Sequence, residues 1–181
     1  MTTNPSLTPE QAKALLMNMS KLSFEEKLEA LELIDKSEEH KKRSLARTDM
    51  IEFAKSVYPG FKVGPHHRKL VKIFGQVIRG EKKRVIINIA PRMGKSEFSS
   101  YLFPAFFLGN FPEKKIIMAT HTAGLSEDFG RRVRNLIDSD DYQDLFASTK
   151  VADDQKAAGK WSTSAGGQYY AAGVGGALAG R

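Results

Sequence analysis

The chain has 181 residues, of which 41% are hydrophobic and 27% are charged, as expected for about one globular domain. It contains no cysteine, which excludes disulfides, thiolate metal sites and cysteine nucleophiles. The formal net charge of +7 divides into −1 for the first fifty residues and +8 for the rest. The later part therefore favours an anionic partner such as a nucleotide or nucleic acid, unless the charge serves solubility alone.

The N-terminus, MTTNPSLTPE, is polar and lacks the apolar segment of a signal peptide. The most apolar run, residues 101–109, is much shorter than the roughly 20 residues that a membrane span needs. The sequence therefore predicts no membrane partner.

The first part of the chain carries helix signals. Thr8 precedes a proline at the first helical position, and Ser23 with Glu26 matches a capping box. The charged residues 38–47 are typical of a solvated helix face, and a DNA contact is the alternative. Another helix start at Asp49 leads to Pro59-Gly60, which ends the segment. We predict a helical arm over residues 1–58 and a second domain over residues 59–181.

The second domain begins with a helix at Gly64-Pro65, whose apolar residues recur at helical spacing and which Gly80 ends. After Gly80 the spacing of the apolar residues is no longer helical. Residues 85–89 (VIINI) and 115–120 (KIIMAT) are both predicted to be apolar strands, with a helix-length segment between them and a helix over residues 123–137 after them. This order predicts an α/β fold with a parallel central sheet.

The C-terminal part gives weaker signals. Residues 140–146 are predicted to form a short helix, and residues 151–160 a loop. Residues 161–163 and 168–171 are predicted to be antiparallel strands around a glycine turn, and the final GVGGALAGR resembles a loop.

A predicted phosphate site lies between the first strand and the next helix, in the sequence IAPRMGKSE. Backbone N–H groups of such a turn and of the helix start attract anions. Gly94 would allow close approach of the backbone, Lys95 would contact the β- and γ-phosphates, and Ser96 would bind Mg²⁺. Only half of the pattern GxxxxGK[ST] is present, because Ile89 stands where glycine is expected. An ordinary strand–helix turn is the alternative.

Two charged residues flank this pattern. Arg92 is predicted to stabilise charge on the γ-phosphate, with an outward-facing arginine as the alternative. Glu97 is more simply read as a first-turn glutamate favoured by the helix dipole. The candidate catalytic residues are Lys95 and Arg92. The candidate nucleotide-binding residues are Pro91, Arg92, Met93, Gly94, Lys95, Ser96 and Glu97, with Ser96 contacting Mg²⁺ through the nucleotide.

The segment APRMGKSE resembles the deviant Walker A of tailed-bacteriophage terminase large subunits. The resemblance extends over GPHHRKLVKIFGQVIRGEKKRVIIN before it and FPAFFLGNFPEKKIIMATHTAGLSEDFGRRVRNLI after it. It continues into WST and GGQYYAAGVGGALAGR, and covers roughly residues 50–181. It implies a P-loop NTPase of the ASCE type that uses ATP and Mg²⁺.

The resemblance further implies a motor that packages double-stranded DNA into a procapsid in the host-cell cytoplasm. Its implied partners are a portal protein, a small terminase subunit and further copies of itself in a ring, and the full-length parent would also be an endonuclease. The Walker B strand and the nuclease carboxylates would lie beyond Arg181, so the chain is expected to be a fragment with little activity alone. The alternatives are another P-loop NTPase, such as a helicase or recombinase, and a non-catalytic DNA-binding module.

Four further residues are left with open roles. His66 and His67 could border an adenine pocket or contact phosphate, although a structural role is more common for such a pair. Arg131 and Arg134 lie on one predicted helix, whose inner face is assigned to Leu125, Phe129, Val133 and Ile137. The two arginines therefore point towards DNA, a neighbouring subunit or solvent.

Overall fold

The computed structural model describes residues 7–174. The chain divides into two compact units, Met1–Leu45 and Ala46–Arg181. This division differs from the boundary predicted after residue 58. Helix α3 (Met50–Val57) accounts for the difference, because Met50, Phe53 and Val57 are buried in the core of the second unit.

The first unit is helical, as predicted. It contains α1 (Pro9–Asn18), a 3₁₀ turn (Met19–Lys21) and most of α2 (Phe24–Thr48). Both predicted helix starts are confirmed. The Thr8 hydroxyl accepts a hydrogen bond from the Gln11 N–H at 3.2 Å. The Ser23 N–H donates to the Glu26 carboxylate at 2.7 Å, and the Glu26 N–H donates back to Ser23 Oγ at 3.3 Å.

Among the described residues, the second unit contains six helical segments, and local signals explain the starts of α3 and α4. Asp49 Oδ1 accepts from the N–H groups of Ile51 and Glu52, which satisfies the first turn of α3. Gly64 precedes Pro65 at the start of α4. The others are a π-helical turn (Glu97–Leu102) continued by α5 (Phe103–Asn110), then α6 (Ala123–Ile137) and α7 (Asp140–Gln143).

The sheet has four strands in the order β1-β4-β3-β2. They are β1 (Lys115–Thr120), β2 (Val151–Ala157), β3 (Lys160–Thr163) and β4 (Gln168–Gly173). Only β1 and β4 are parallel, with Lys115 opposite Gln168 and Thr120 opposite Gly173. The other two pairs are antiparallel, so the fold is mixed α/β. The predicted antiparallel strands at 161–163 and 168–171 are confirmed, whereas a purely parallel sheet is not.

Two predictions of local structure are wrong, one of a strand and one of a loop. Residues 85–89 form no strand, because none of the described strands pairs with them, and Ile86 is 89% exposed. Two of these apolar residues nevertheless contribute to packing, because Ile87 and Ile89 lie against the core. Residues 151–157, predicted as a loop, form β2 because they pair with β3. The predicted C-terminal loop covers residues 173–181. Gly173 instead ends β4 and Val174 lies in a turn, whereas residues 175–181 lie outside the described residues.

The core of the second unit is aromatic. Phe53 lies 5.4 Å from Phe106 and 6.0 Å from Tyr142 between ring centroids, and the Tyr142 hydroxyl donates to the Ala105 carbonyl at 2.9 Å. The Trp161 ring stacks on Tyr169 at 5.0 Å, which joins the sheet to the same core. Within residues 7–174, no helix is both long enough and apolar enough to cross a bilayer.

Candidate functional site

The predicted phosphate loop, residues 90–94, connects residues 85–89 to a helix that begins at Lys95. Arg92 and Gly94 both have left-handed backbones, with φ of +64° and +72°. Glycine adopts this conformation freely, whereas an arginine there is strained by about 1 kcal/mol. The Phe98 N–H donates to the Gly94 carbonyl at 2.9 Å, which fixes the loop to the helix.

An open cavity of about 410 Å³ lies against this loop. Its lining includes six of the seven predicted nucleotide-binding residues, namely Pro91, Arg92, Gly94, Lys95, Ser96 and Glu97, together with Ala90. The seventh, Met93, faces a second cavity on the same loop. The structure therefore brings the predicted residues together around one concave surface.

Three polar side chains at this cavity have no protein partners among the described residues, whereas the Glu97 carboxylate is paired with Arg132. The side chains of Arg92, Lys95 and Ser96 are exposed, and no hydrogen bond or ion pair within residues 7–174 engages them. Arg79 and Arg132, by contrast, are each paired with a glutamate. Two cations and a hydroxyl are thus available to an anion at the point where a helix begins.

A divalent cation would need ligands from outside the chain. The described part of the sequence holds no group of three or more histidine or acidic residues that could bind a metal ion. The Ser96 hydroxyl is a suitable single oxygen donor, and Mg²⁺ commonly uses one or two protein oxygens together with phosphates. The residues present therefore fit Mg²⁺ only when it arrives with a phosphate-bearing ligand.

The second cavity, of about 300 Å³, has an aromatic lining that includes Tyr58, Phe61 and both rings of the histidine pair. It shares Arg92, Gly94 and Glu97 with the first cavity. Phe61 stacks on Phe98 at 5.8 Å with an interplanar angle of 12°. Phe98 is fully buried and lies in the helix that begins at Lys95, which we call the loop helix. The stack therefore connects this helix to the wall of the second cavity, which we call the aromatic cavity.

His66 and His67 form a hydrogen-bonded pair beneath the loop. Their Nε2 atoms are 3.1 Å apart, and the Gly64 N–H donates to His67 Nδ1 at 3.0 Å. Since Nδ1 accepts, a neutral His67 carries its proton on Nε2 and donates it to His66. A Cβ added to Gly94 would lie 3.6 Å from His67 Nε2, so the pair supports the loop directly.

The stability of the second unit is expected to depend on the protonation of His67. Burial, and secondarily the charge of His66, lowers the pKa of His67 below its usual value near 6.5. The unfolded chain then binds more protons than the folded one, so stability is complete above about pH 6.5 and declines as the pH falls below it. Urea unfolding from pH 8 to pH 5 should show this decline, and His67→Gln should reduce it. An unchanged pH profile in His67→Gln would contradict the assignment.

The sequence patterns missed one ion pair at the site. The Arg132 guanidinium on α6 donates two hydrogen bonds to Glu97, at 2.9 Å and 2.5 Å. It also lies 4.4 Å from the centroid of the Tyr101 ring. The hydrogen bonds to Glu97 raise the pKa of Arg132. These residues are 35 positions apart, and no local spacing rule connects them.

The other two arginines of α6 have local partners. Arg131 pairs with Asp128 at 2.5 Å, and Arg134 donates to Asn135 at 3.1 Å. The predicted inner face of this helix needs one correction. Leu125 is 47% exposed, because the buried face begins one residue later at Ser126, whose hydroxyl donates to the Ala172 carbonyl of β4.

Comparisons with protein-family models, with curated proteins and with solved structures found no match for this chain.

Proposed function

We propose that residues 90–96 bind the triphosphate of ATP together with Mg²⁺, as part of a P-loop NTPase of the ASCE type. One observation carries the proposal: Arg92, Lys95 and Ser96 have no protein partners within residues 7–174 and line one cavity where a left-handed turn enters a helix. Within residues 7–174 these two cations stabilise the turn through no hydrogen bond or ion pair. An anion with several oxygens would satisfy both.

Each residue has a distinct role in this proposal. The Lys95 ammonium donates to the β- and γ-phosphates, and the Arg92 guanidinium offers two parallel donors to the γ-phosphate. Gly94 brings the backbone N–H groups close because it has no Cβ. Mg²⁺, bound by the Ser96 hydroxyl and the phosphates, would supply charge neutralisation during phosphoryl transfer.

The aromatic cavity suits the other end of the nucleotide. It adjoins the loop and is lined by Tyr58 and Phe61, whose aromatic rings are suitable contacts for a planar base. The first cavity, which we call the phosphate cavity, shares Arg92 and Gly94 with the aromatic cavity. One ligand can therefore occupy both.

For the whole protein we propose the ATPase portion of a DNA-packaging terminase large subunit. Two features support this: the ordered motifs of residues 50–181, and the observed succession of loop, helix, β1 and α6. In this proposal ATP hydrolysis drives double-stranded DNA into a procapsid, with a portal protein and a small terminase subunit as partners. Glu97 is paired with Arg132, so we assign it no role as the base that activates water.

Competition binding tests the proposal. A fluorescent ATP analogue with Mg²⁺ is titrated into the chain and displaced by ATP, ADP or AMP. We expect ATP and ADP to displace it at much lower concentrations than AMP, because Lys95 and Arg92 contact the terminal phosphates. Equal displacement by AMP, or no saturable binding, would contradict the proposal and favour the non-catalytic DNA-binding alternative.

Arg92→Gly should separate stability from binding. Glycine relieves the left-handed strain, so we expect the free energy of unfolding to rise by about 1 kcal/mol. The lost guanidinium should weaken ATP binding by about ten-fold. Urea unfolding and the same titration measure both effects. Arg92→Asn, which tolerates a left-handed backbone but has no charge, is the control: it should also bind weakly. Unchanged ATP affinity in both variants would show that Arg92 does not take part in ATP binding.

A further inference from the structure

A negative charge lies at the proposed triphosphate site. Glu97 lines both the phosphate cavity and the aromatic cavity, directly after Ser96 in the chain. Its side chain is 37% exposed. A bare carboxylate beside three phosphate groups would repel them, since like charges a few ångströms apart disfavour each other strongly where water is partly excluded.

Arg132 supplies the compensating charge from another element. Its guanidinium meets both oxygens of Glu97 in a bidentate pair, and Tyr101, one turn along the loop helix, holds it from the other side. The Tyr101 ring in turn lies 6.4 Å from Tyr58, which lines the aromatic cavity. The arginine therefore contacts two residues of the same helix, and the bidentate pair restricts rotation of the Glu97 carboxylate.

We infer that Arg132 is a positioning residue for triphosphate binding, which cancels the charge of Glu97 and holds this carboxylate away from the phosphates. The inference rests on the proposed function. A purely structural ion pair would stabilise only the fold. In this inference the pair also favours binding of the triphosphate. Removing Arg132 should expose a repulsive charge, and removing both charges should restore binding.

Affinity for the fluorescent ATP analogue with Mg²⁺ tests the inference in four variants. We expect Arg132→Gln to weaken binding by about ten-fold, with a larger loss at low salt than at high salt. Glu97→Gln should bind as tightly as the wild type or more tightly. The double variant Arg132→Gln/Glu97→Gln should recover most of the lost affinity. Arg131→Gln removes the neighbouring positive charge on the same helix and should have little effect, because Arg131 pairs with Asp128 instead.

The outcomes distinguish this inference from the proposed function. Equal weakness of Arg132→Gln and the double variant would overturn the inference, since it would show that the pair supports the fold rather than the ligand. Unchanged binding in Arg132→Gln, or a ten-fold loss in Glu97→Gln, would also overturn it. Circular dichroism checks folding, and Glu97→Gln decides the matter if Arg132→Gln unfolds. Absence of ATP binding in the wild type would overturn both proposals.

Discussion

Replacing Lys95 by alanine should weaken ATP binding by about 100-fold, because the charge-assisted hydrogen bonds from an ammonium to phosphate oxygens are lost. The fold should be unaffected. Lys95 is exposed and engages no carboxylate among residues 7–174, so we expect the free energy of unfolding to change by less than about 0.5 kcal/mol. Titration with the fluorescent ATP analogue and urea unfolding measure the two quantities on the same protein.

Lys72→Ala is the matched control for this variant. Lys72 is also exposed and lies in α4, but it lines neither of the two cavities at the loop. Its removal should leave the ATP affinity within about two-fold of the wild-type value, since a distant exposed charge is screened by salt. Equal losses in the two variants would show that binding depends on overall positive charge and not on the loop.

Replacing Gly130 by alanine should destabilise the second unit by about 3 kcal/mol. A Cβ at this position would lie 2.5 Å from the Ala158 carbonyl oxygen and 3.1 Å from the Tyr169 ring. The Trp161 indole N–H also donates to the Gly130 carbonyl at 3.0 Å, so α6 cannot move away without breaking this bond. Urea unfolding followed by circular dichroism measures the loss.

Gly124 in the same helix provides the control, for which no loss of stability is expected. A Cβ there meets no atom within 4 Å, and alanine favours the helical conformation over glycine by up to about 1 kcal/mol. Gly124→Ala should therefore leave stability unchanged or raise it. If both glycine variants destabilised the chain equally, close packing of α6 on the sheet would not be the cause.

Local signals in the sequence predicted the helix starts well. The caps at Thr8, Ser23 and Asp49 depend only on residues within three positions, and all three form as expected. The candidate phosphate loop was also predicted from adjacent residues, and its binding of phosphate stays a prediction. Its glycine, lysine and serine are adjacent in the chain, so a short pattern brings them to one cavity.

Features that depend on distant partners were not predictable in this way. Residues 85–89 have the composition of a buried strand, but a strand also needs a neighbour, and none of the described strands pairs with them. Residues 151–157 are polar and resemble a loop, yet β3 makes them a strand. The pairing of Arg132 with Glu97 likewise depends on how α6 packs, which no spacing within either helix reveals.

Backbone amide NMR tests whether the turn before Lys95 holds phosphate. Addition of ATP with Mg²⁺ to the ¹⁵N-labelled chain should shift the amide signals of Gly94, Lys95 and Ser96 more than any others, because their N–H groups would donate to the ligand. AMP at the same concentration should shift them far less. If ATP moved signals elsewhere and left these three unchanged, the loop would not be a phosphate site.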